Sequence, residues 1–227
     1  MYEREDVAAG YAGDRPAVHG RIIAGLGLPR VRAALDVGCG AGLSAVAIAH
    51  LADLVVCVEI EPNMLRYRLP GPRYVVGSGE RLPFRDGAFG LITASGSLNY
   101  MDKGVALREA RRVLAPDGVL VVCDFGTGWP DGVEPLWVED PDPDYPMDPR
   151  ELPWGASGLR LVSFVERQVR VGMSLDGYAR YLRTEGGEQA EQWARETLPT
   201  VFDGSSLDVI FDTYGACALH DSQVIAC

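Results

Sequence analysis

The sequence predicts an α/β protein: a doubly wound, mostly parallel seven-stranded sheet with helices on both faces and an antiparallel last strand. Three observations predict it. Short β-branched runs recur through the first half of the chain, they are apolar throughout rather than alternating, and helix-like stretches separate them. Strands buried on both faces belong to parallel sheets, and strands alternating with helices imply βαβ crossovers. With 227 residues, 47% apolar and 23% charged, the chain has the size and composition of a single globular domain over 1–227.

The first expected strand is AALDVG at 33–38, followed by a glycine-rich turn and by LSAVAIAHLA at 43–52, apolar nearly all round and expected as a buried helix. Further strands are expected at 54–60 (LVVCVEI), 73–76 (RYVV), 90–95 (GLITAS) and 118–125 (GVLVVCDF). Residues 102–118 read as an amphipathic helix. Ala106, Leu107, Ala110, Val113 and Leu114 share its apolar face, Asp102 is the N-cap candidate, and Pro116-Asp117-Gly118 is the stop. After the middle of the chain come a strand at 161–171, helices at 174–183 and 188–198, and a last strand at 207–219.

Residues 129–154 interrupt the pattern with seven prolines, eight acids and three tryptophans. Disordered linkers are poor in aromatics, whereas Trp129, Trp137, Tyr145 and Trp154 fall here, so the segment, extended to about 160, reads as an acidic lid or substrate-binding insertion. Acids and bases balance over 1–128, and the whole net charge of −11 resides in 129–227. Such a surface repels a phosphate backbone and favours a neutral or cationic small-molecule partner over nucleic acid. There is no apolar run of membrane-spanning length and no signal-like N-terminus, so the expectation is a cytoplasmic protein without membrane attachment. The five cysteines are too dispersed for a metal knuckle or redox pair and read as core residues; no metal is expected.

The chemistry-bearing segment is Leu35-Asp36-Val37-Gly38-Cys39-Gly40-Ala41-Gly42, between the first strand and the following helix. Alternate glycines let backbone approach a ligand closely. A nicotinamide dinucleotide fingerprint is formally met by 40–45, but counted from the strand end Leu43 stands where its last Gly or Ala belongs. Asp36 is the discriminating residue. Beside a pyrophosphate it would repel the ligand, and beside a cationic amino or sulfonium group it would be favourable; alternatively it accepts backbone amides of the glycine turn.

With Asp36, Gly38, Gly40 and Gly42 in the D-x-G-x-G-x-G spacing, the sequence resembles the class I S-adenosylmethionine-dependent methyltransferases, in particular the type 11 small-molecule branch, from about Tyr11 to Phe125. The resemblance implies a Rossmann-like fold and S-adenosyl-L-methionine as cofactor. It implies that the loop from Asp36 through Gly38 and Gly40 meets the methionine part, that Glu59 grips both ribose hydroxyls and that Ile60 lies beside the adenine. Residues 77–84 (GSGERLPF) are similar to the family's G-D-A-E-x-L-P-F, with Ser78 in place of the adenine-contacting Asp and Gly79 offering its amide. Residues 89–118 are similar to a further family stretch that includes Ser95, and Tyr11 to Pro16 to a Y-x-x-x-R-P segment that closes over the cofactor.

The activity so implied is in-line transfer of a methyl group to a small-molecule O or N acceptor. A non-catalytic binder of the same cofactor and, behind it, a nicotinamide-dependent reductase stay open at this level. No general base can be named: His19 reads as a surface residue before a helix, His50 as the end of the first buried helix, and His220 as following the last strand.

Overall fold

The computed structural model describes residues 12–133, 147–201 and 206–222. Helix α1 (Val18–Ala24) precedes β1 (Val31–Val37), α2 (Leu43–Ile48), β2 (Ala52–Glu59), β3 (Arg73–Val76) and β4 (Phe89–Ser95). Then come α3 (Lys103–Val113), β5 (Leu114–Phe125), the two-residue β6 (Trp129–Pro130), β7 (Leu159–Ser174), α4 (Leu175–Val201) and β8 (Ser206–His220). Strands β1 to β5 are mutually parallel in the order β3-β2-β1-β4-β5. β8 adds antiparallel to β5, and β7 pairs antiparallel with the other side of β8 from Leu159↔His220 to Ser174↔Ser206. The sheet among the described residues therefore has eight strands, seven of four to sixteen residues and the two-residue β6 paired on β8, one more than the seven expected.

The expected both-faced burial is present. One face carries Val18 and Ile22 of α1, Ala45 and Ile48 of α2, and Tyr178, Tyr181 and Leu182 of α4, against Val121, Cys123 and Phe125 of β5. The other carries Ala106, Leu107, Ala110 and Val113 of α3, with Leu152 and Trp154, against Leu120 and Val122. Apolar side chains on both sides of one strand are what the unbroken β-branched runs encode.

Two expected helices are shorter than their patterns. At 43–52 the α-helix ends at Ile48, a single 3-10 turn follows, and Ala52 already pairs with Val31; Val46 is 43% exposed, so this helix is not buried all round. In α3 Asp102 does cap the N-terminus, its Oδ1 accepting the Val105 amide at 2.9 Å. The helix stops at Val113, before the Pro-Asp-Gly signal, because Leu114 is drawn into the sheet opposite Phe89. The two expected C-terminal helices are both present within Leu175–Val201, labelled together as α4, and are separated by the non-helical residues Gly186 (φ −125°, ψ 17°) and Gly187 (φ +70°, ψ −158°).

Candidate active site

The strand order reverses between β1 and β4, where the crossovers diverge to either side, and in doubly wound sheets the crevice beyond the carboxyl ends at this point receives ligands. All the described candidate residues lie at that edge. Asp36 is the penultimate residue of β1, Gly38 and Gly40 lie in the turn after it, Glu59 ends β2 with Ile60 next to it, Ser78 and Gly79 follow β3, and Ser95 ends β4. Tyr11, Trp137 and Tyr145 lie outside the described residues.

The glycine turn needs its glycines for a geometric reason. Gly38, Gly40 and Gly42 have φ of +65°, +54° and +95°, a left-handed region costly to any other residue. A Cβ on Gly38 would also stand 2.5 Å from Cβ of Ser97, and one on Gly42 would overlap the Tyr74 hydroxyl. The turn is tied to its neighbour strand by the Gly38 and Cys39 amides, both donating to Val58 O at 2.8 and 3.1 Å.

Glu59 is 8% exposed and completes this arrangement. Its Oε2 accepts the Gly40 amide at 2.8 Å and its Oε1 accepts the Glu61 amide at 2.9 Å. Each oxygen keeps acceptor capacity, so the carboxylate is fixed in position yet able to take ligand hydroxyls. Ile60 beside it is 67% exposed, an apolar side chain held out at the rim.

Asp36 is fully buried and already partnered: Ser44 Oγ donates to Oδ2 at 2.5 Å and Thr93 Oγ1 to Oδ1 at 2.6 Å. Burial nevertheless pushes its carboxyl up to about 6, with the two hydroxyls opposing the shift. It thus joins α2 to β4 beneath the glycine turn. Ser78 Oγ accepts the Glu80 amide at 3.1 Å, and a Cβ on Gly79 would press on Val37 and the Met101 sulfur, both at 2.7 Å. Ser95 Oγ is buried without a nitrogen or oxygen partner; the Cys123 thiol beside it is a weak one.

Three residues of the site were missed by pattern reading. Glu80 Oε1 accepts the Asp102 amide at 2.6 Å, Glu109 Oε2 accepts the Leu82 amide at 2.9 Å, and Arg112 donates to the carbonyls of Leu82 and Phe84 at 3.0 and 2.8 Å. Together they clamp the loop bearing Ser78 and Gly79 onto α3. The signal was available as acidic and basic residues at helical spacing, but a surface ion pair shows the same signal.

The histidines fall as follows. His50 is exposed in the 3-10 turn, and His220 Nε2 lies 3.1 Å from Leu114 O. His19 is not a surface residue: it is 9% exposed within α1, edge-on to Phe125 with ring centroids 5.2 Å apart, and its Nδ1 is buried without a partner. Burial, aided by the Arg15 guanidinium, lowers it to about 4, so the ring is neutral at neutral pH. Cys39, Cys57, Cys123 and Cys217 are free and buried, as a core role requires. Among the described residues no group of three or more His, Cys, Asp or Glu could hold a metal ion, and no helix is long and apolar enough to cross a membrane.

A family described as a methyltransferase domain matches residues 35–122. A demethylmenaquinone methyltransferase of Mycobacterium sp. (strain KMS) is 30% identical over 178 residues, covering 77% of this chain and 75% of that protein. The chain belongs to the class I S-adenosylmethionine-dependent methyltransferases. The enzyme of the same name from Mycolicibacterium gilvum (strain PYR-GCK) is 39% identical over 98 residues, 41% of this chain. The chain spans less than half the length of that relative, 42%. Among solved structures, a protein of Anaeromyxobacter dehalogenans assigned as a type II methyltransferase superposes with a TM-score of 0.63 at 17% identity, covering 89% of this chain and 95% of its own. Geranyl diphosphate C-methyltransferase from Streptomyces coelicolor A3(2), solved with S-adenosyl-L-homocysteine, gives 0.56 at 20% identity, covering 90% and 77%. These two likenesses show the fold.

The residues present fit the family's cofactor. Glu59 offers a fixed carboxylate with spare acceptor capacity, the glycine turn offers close backbone approach, and Ile60 offers an exposed apolar surface next to both.

Proposed function

We propose that the chain transfers the methyl group of S-adenosyl-L-methionine to a small-molecule acceptor. The observation that carries this reading is Glu59: a nearly buried carboxylate at the end of β2, pinned by the Gly40 amide of the glycine turn. Glu59 accepts both ribose hydroxyls, and Ile60 covers one face of the adenine. Ser78, through its hydroxyl, and Gly79, through its amide, serve the adenine edge. Gly38 and Gly40 meet the methionine part, Ser95 ends β4 at the same edge, Tyr11 belongs to the segment that closes over the cofactor, and Asp36 holds the turn in register from beneath. When bound, the cofactor supplies a sulfonium methyl that is already electrophilic, so the protein's task is largely one of alignment.

The acceptor is a neutral or cationic small molecule methylated on oxygen or nitrogen. Relatives named demethylmenaquinone methyltransferases support the small-molecule class. The acidity concentrated in 129–227 speaks against a diphosphate such as the one the Streptomyces coelicolor neighbour binds. Titration calorimetry tests the reading, with S-adenosylmethionine, its demethylated product and a nicotinamide dinucleotide as titrants. Binding of the first two and not the third is expected. Glu59→Ala should weaken that binding by about 1.5–3 kcal/mol through loss of charge-assisted hydrogen bonds, and an unchanged dissociation constant would remove Glu59 from the site.

A further inference from the structure

The sheet ends on one side in β7, sixteen residues long, which pairs with β8 alone. Along 161–174 every backbone–backbone pairing among the described residues runs to β8, and no described residue pairs with the opposite edge of the strand. Monomeric proteins usually blunt such an edge with a proline, a bulge, a short strand or charged side chains, because a free row of N–H and C=O groups templates another strand. Here the one bulge lies at Leu161/Ser163, at the start of the strand, and no proline follows it. An unbroken stretch from Ser163 to Ser174 remains.

That stretch is self-complementary. If two copies meet antiparallel with Gln168 opposite itself, Glu166 of each copy falls opposite Arg170 of the other, on one face of the joined sheet. Phe164 falls opposite Gly172 on the same face, an aromatic ring over a glycine, and Val165 falls opposite Val171 on the other face. Opposite charges and aromatic or β-branched side chains directly across from each other are the stabilising pairs of antiparallel sheets. The charges are placed for it: Glu166, Gln168 and Arg170 are all exposed. The Glu166 side chain makes no hydrogen bond or ion pair among the described residues, its charge reaching only as far as the Arg150 guanidinium, while Arg170 already gathers Asp131 at 2.8 Å and Asp208 at 3.5 Å. A two-fold axis through Gln168 closes the contact, so pairing stops at two copies.

We propose that β7 is the interface of a homodimer, in which two copies of this chain join edge to edge about Gln168 into one continuous sheet. The candidate active sites then open at opposite edges of that sheet and stay independent of the contact.

The test is the molar mass of the full chain by light scattering and sedimentation from low micromolar to hundred-micromolar concentration. The wild type is expected as a dimer. Glu166→Arg sets two guanidinium groups against each other in both symmetry-related pairs, and Gln168→Glu sets two carboxylates face to face on the axis; both are expected to shift the protein to monomer. The double variant Glu166→Arg/Arg170→Glu restores opposite charges and should restore the dimer. A far-UV circular dichroism spectrum like the wild type's and a cooperative thermal transition establish that each variant is folded, at a temperature lower in the monomers because association stabilises the dimer, and unaltered S-adenosylmethionine binding is expected in the monomeric ones. A monomeric wild type across the range overturns the proposal, as does a dimer indifferent to both single substitutions. Failure of the folded double variant to re-associate overturns the Gln168-centred pairing.

Discussion

At the residue scale two buried groups pull the pH dependence of stability in opposite directions. Burial pushes Asp36 up to about 6, so between about pH 4 and pH 6 the folded chain holds a proton that the unfolded chain has released. The stability contributed by Asp36 is full below that window and fades as pH rises through it. Burial and Arg15 lower His19 to about 4, so over the same window the unfolded chain holds the extra proton. Its contribution is full above about pH 6.5 and fades as pH falls. Each effect amounts to about 3 kcal/mol at most, and in the wild type they largely cancel. Asp36→Asn should therefore leave a protein that gains stability as pH rises from about 4.5 to about 7, and His19→Leu one that loses it. Urea unfolding at several pH values reads both slopes, and parallel profiles in the three proteins would show that neither group titrates as described. These two residues were unequally legible. Asp36 stood out in sequence because a carboxylate ending an apolar strand needs a partner. His19 did not, because its burial depends on Phe125, which β5 brings to it from the far side of the cofactor-binding strands.

At the scale of elements the strands were the most legible part of the fold, since a β-branched run buried on both faces has few alternatives. Helix ends were less so, and for a definable reason: Ala52 and Leu114 continue the apolar pattern of the helix before them yet pair in the sheet, and a pairing partner distant in sequence is invisible to local pattern. The clamp of Glu109 and Arg112 on the 78–86 loop was hidden likewise; Arg112 holds the Glu109 carboxyl below its usual range while donating to that loop. The glycine turn, by contrast, was legible because backbone geometry alone demands its residues. Gly42→Ala tests that element. The left-handed φ costs roughly 1–2 kcal/mol, and the new Cβ would overlap the Tyr74 hydroxyl, which donates to Leu69 O at 2.8 Å. A total loss of about 2–4 kcal/mol is expected, visible as a lower urea midpoint. Adding Tyr74→Phe should recover part of the overlap and none of the backbone cost. A Gly42→Ala protein of wild-type stability would mean the turn is not held in this conformation.

At the scale of the molecule the acidic, proline-rich segment is where sequence composition and folded structure have to be weighed together. Two of its tryptophans are anchors. Trp129 in β6 meets Trp193 edge-on with centroids 6.0 Å apart. Trp154 is 6% exposed beneath α3, its Nε1 donating to Pro149 O at 2.8 Å. Leu152 is buried beside it, so 147–160 is part of the domain's second core and only the stretch between these anchors is left to act as a cover. We expect that stretch to close over the bound ligands. A glutamate-specific protease reads this with its own control, since Glu139 lies between the anchors and Glu151 lies on the Trp154 side. Adding S-adenosylhomocysteine, and then a neutral hydroxylated aromatic such as naphthol, should slow cleavage after Glu139 while leaving Glu151 as it was. A cover that closes by burying its tryptophan and tyrosine against ligand must protect its own backbone, whereas an acidic loop that only tunes surface charge leaves the cleavage rate after Glu139 unchanged by ligand. A rate of cleavage after Glu139 that ligand does not change would therefore assign the segment to electrostatics alone, and the −11 charge of the second half would act by excluding anions from the site rather than by closing over it.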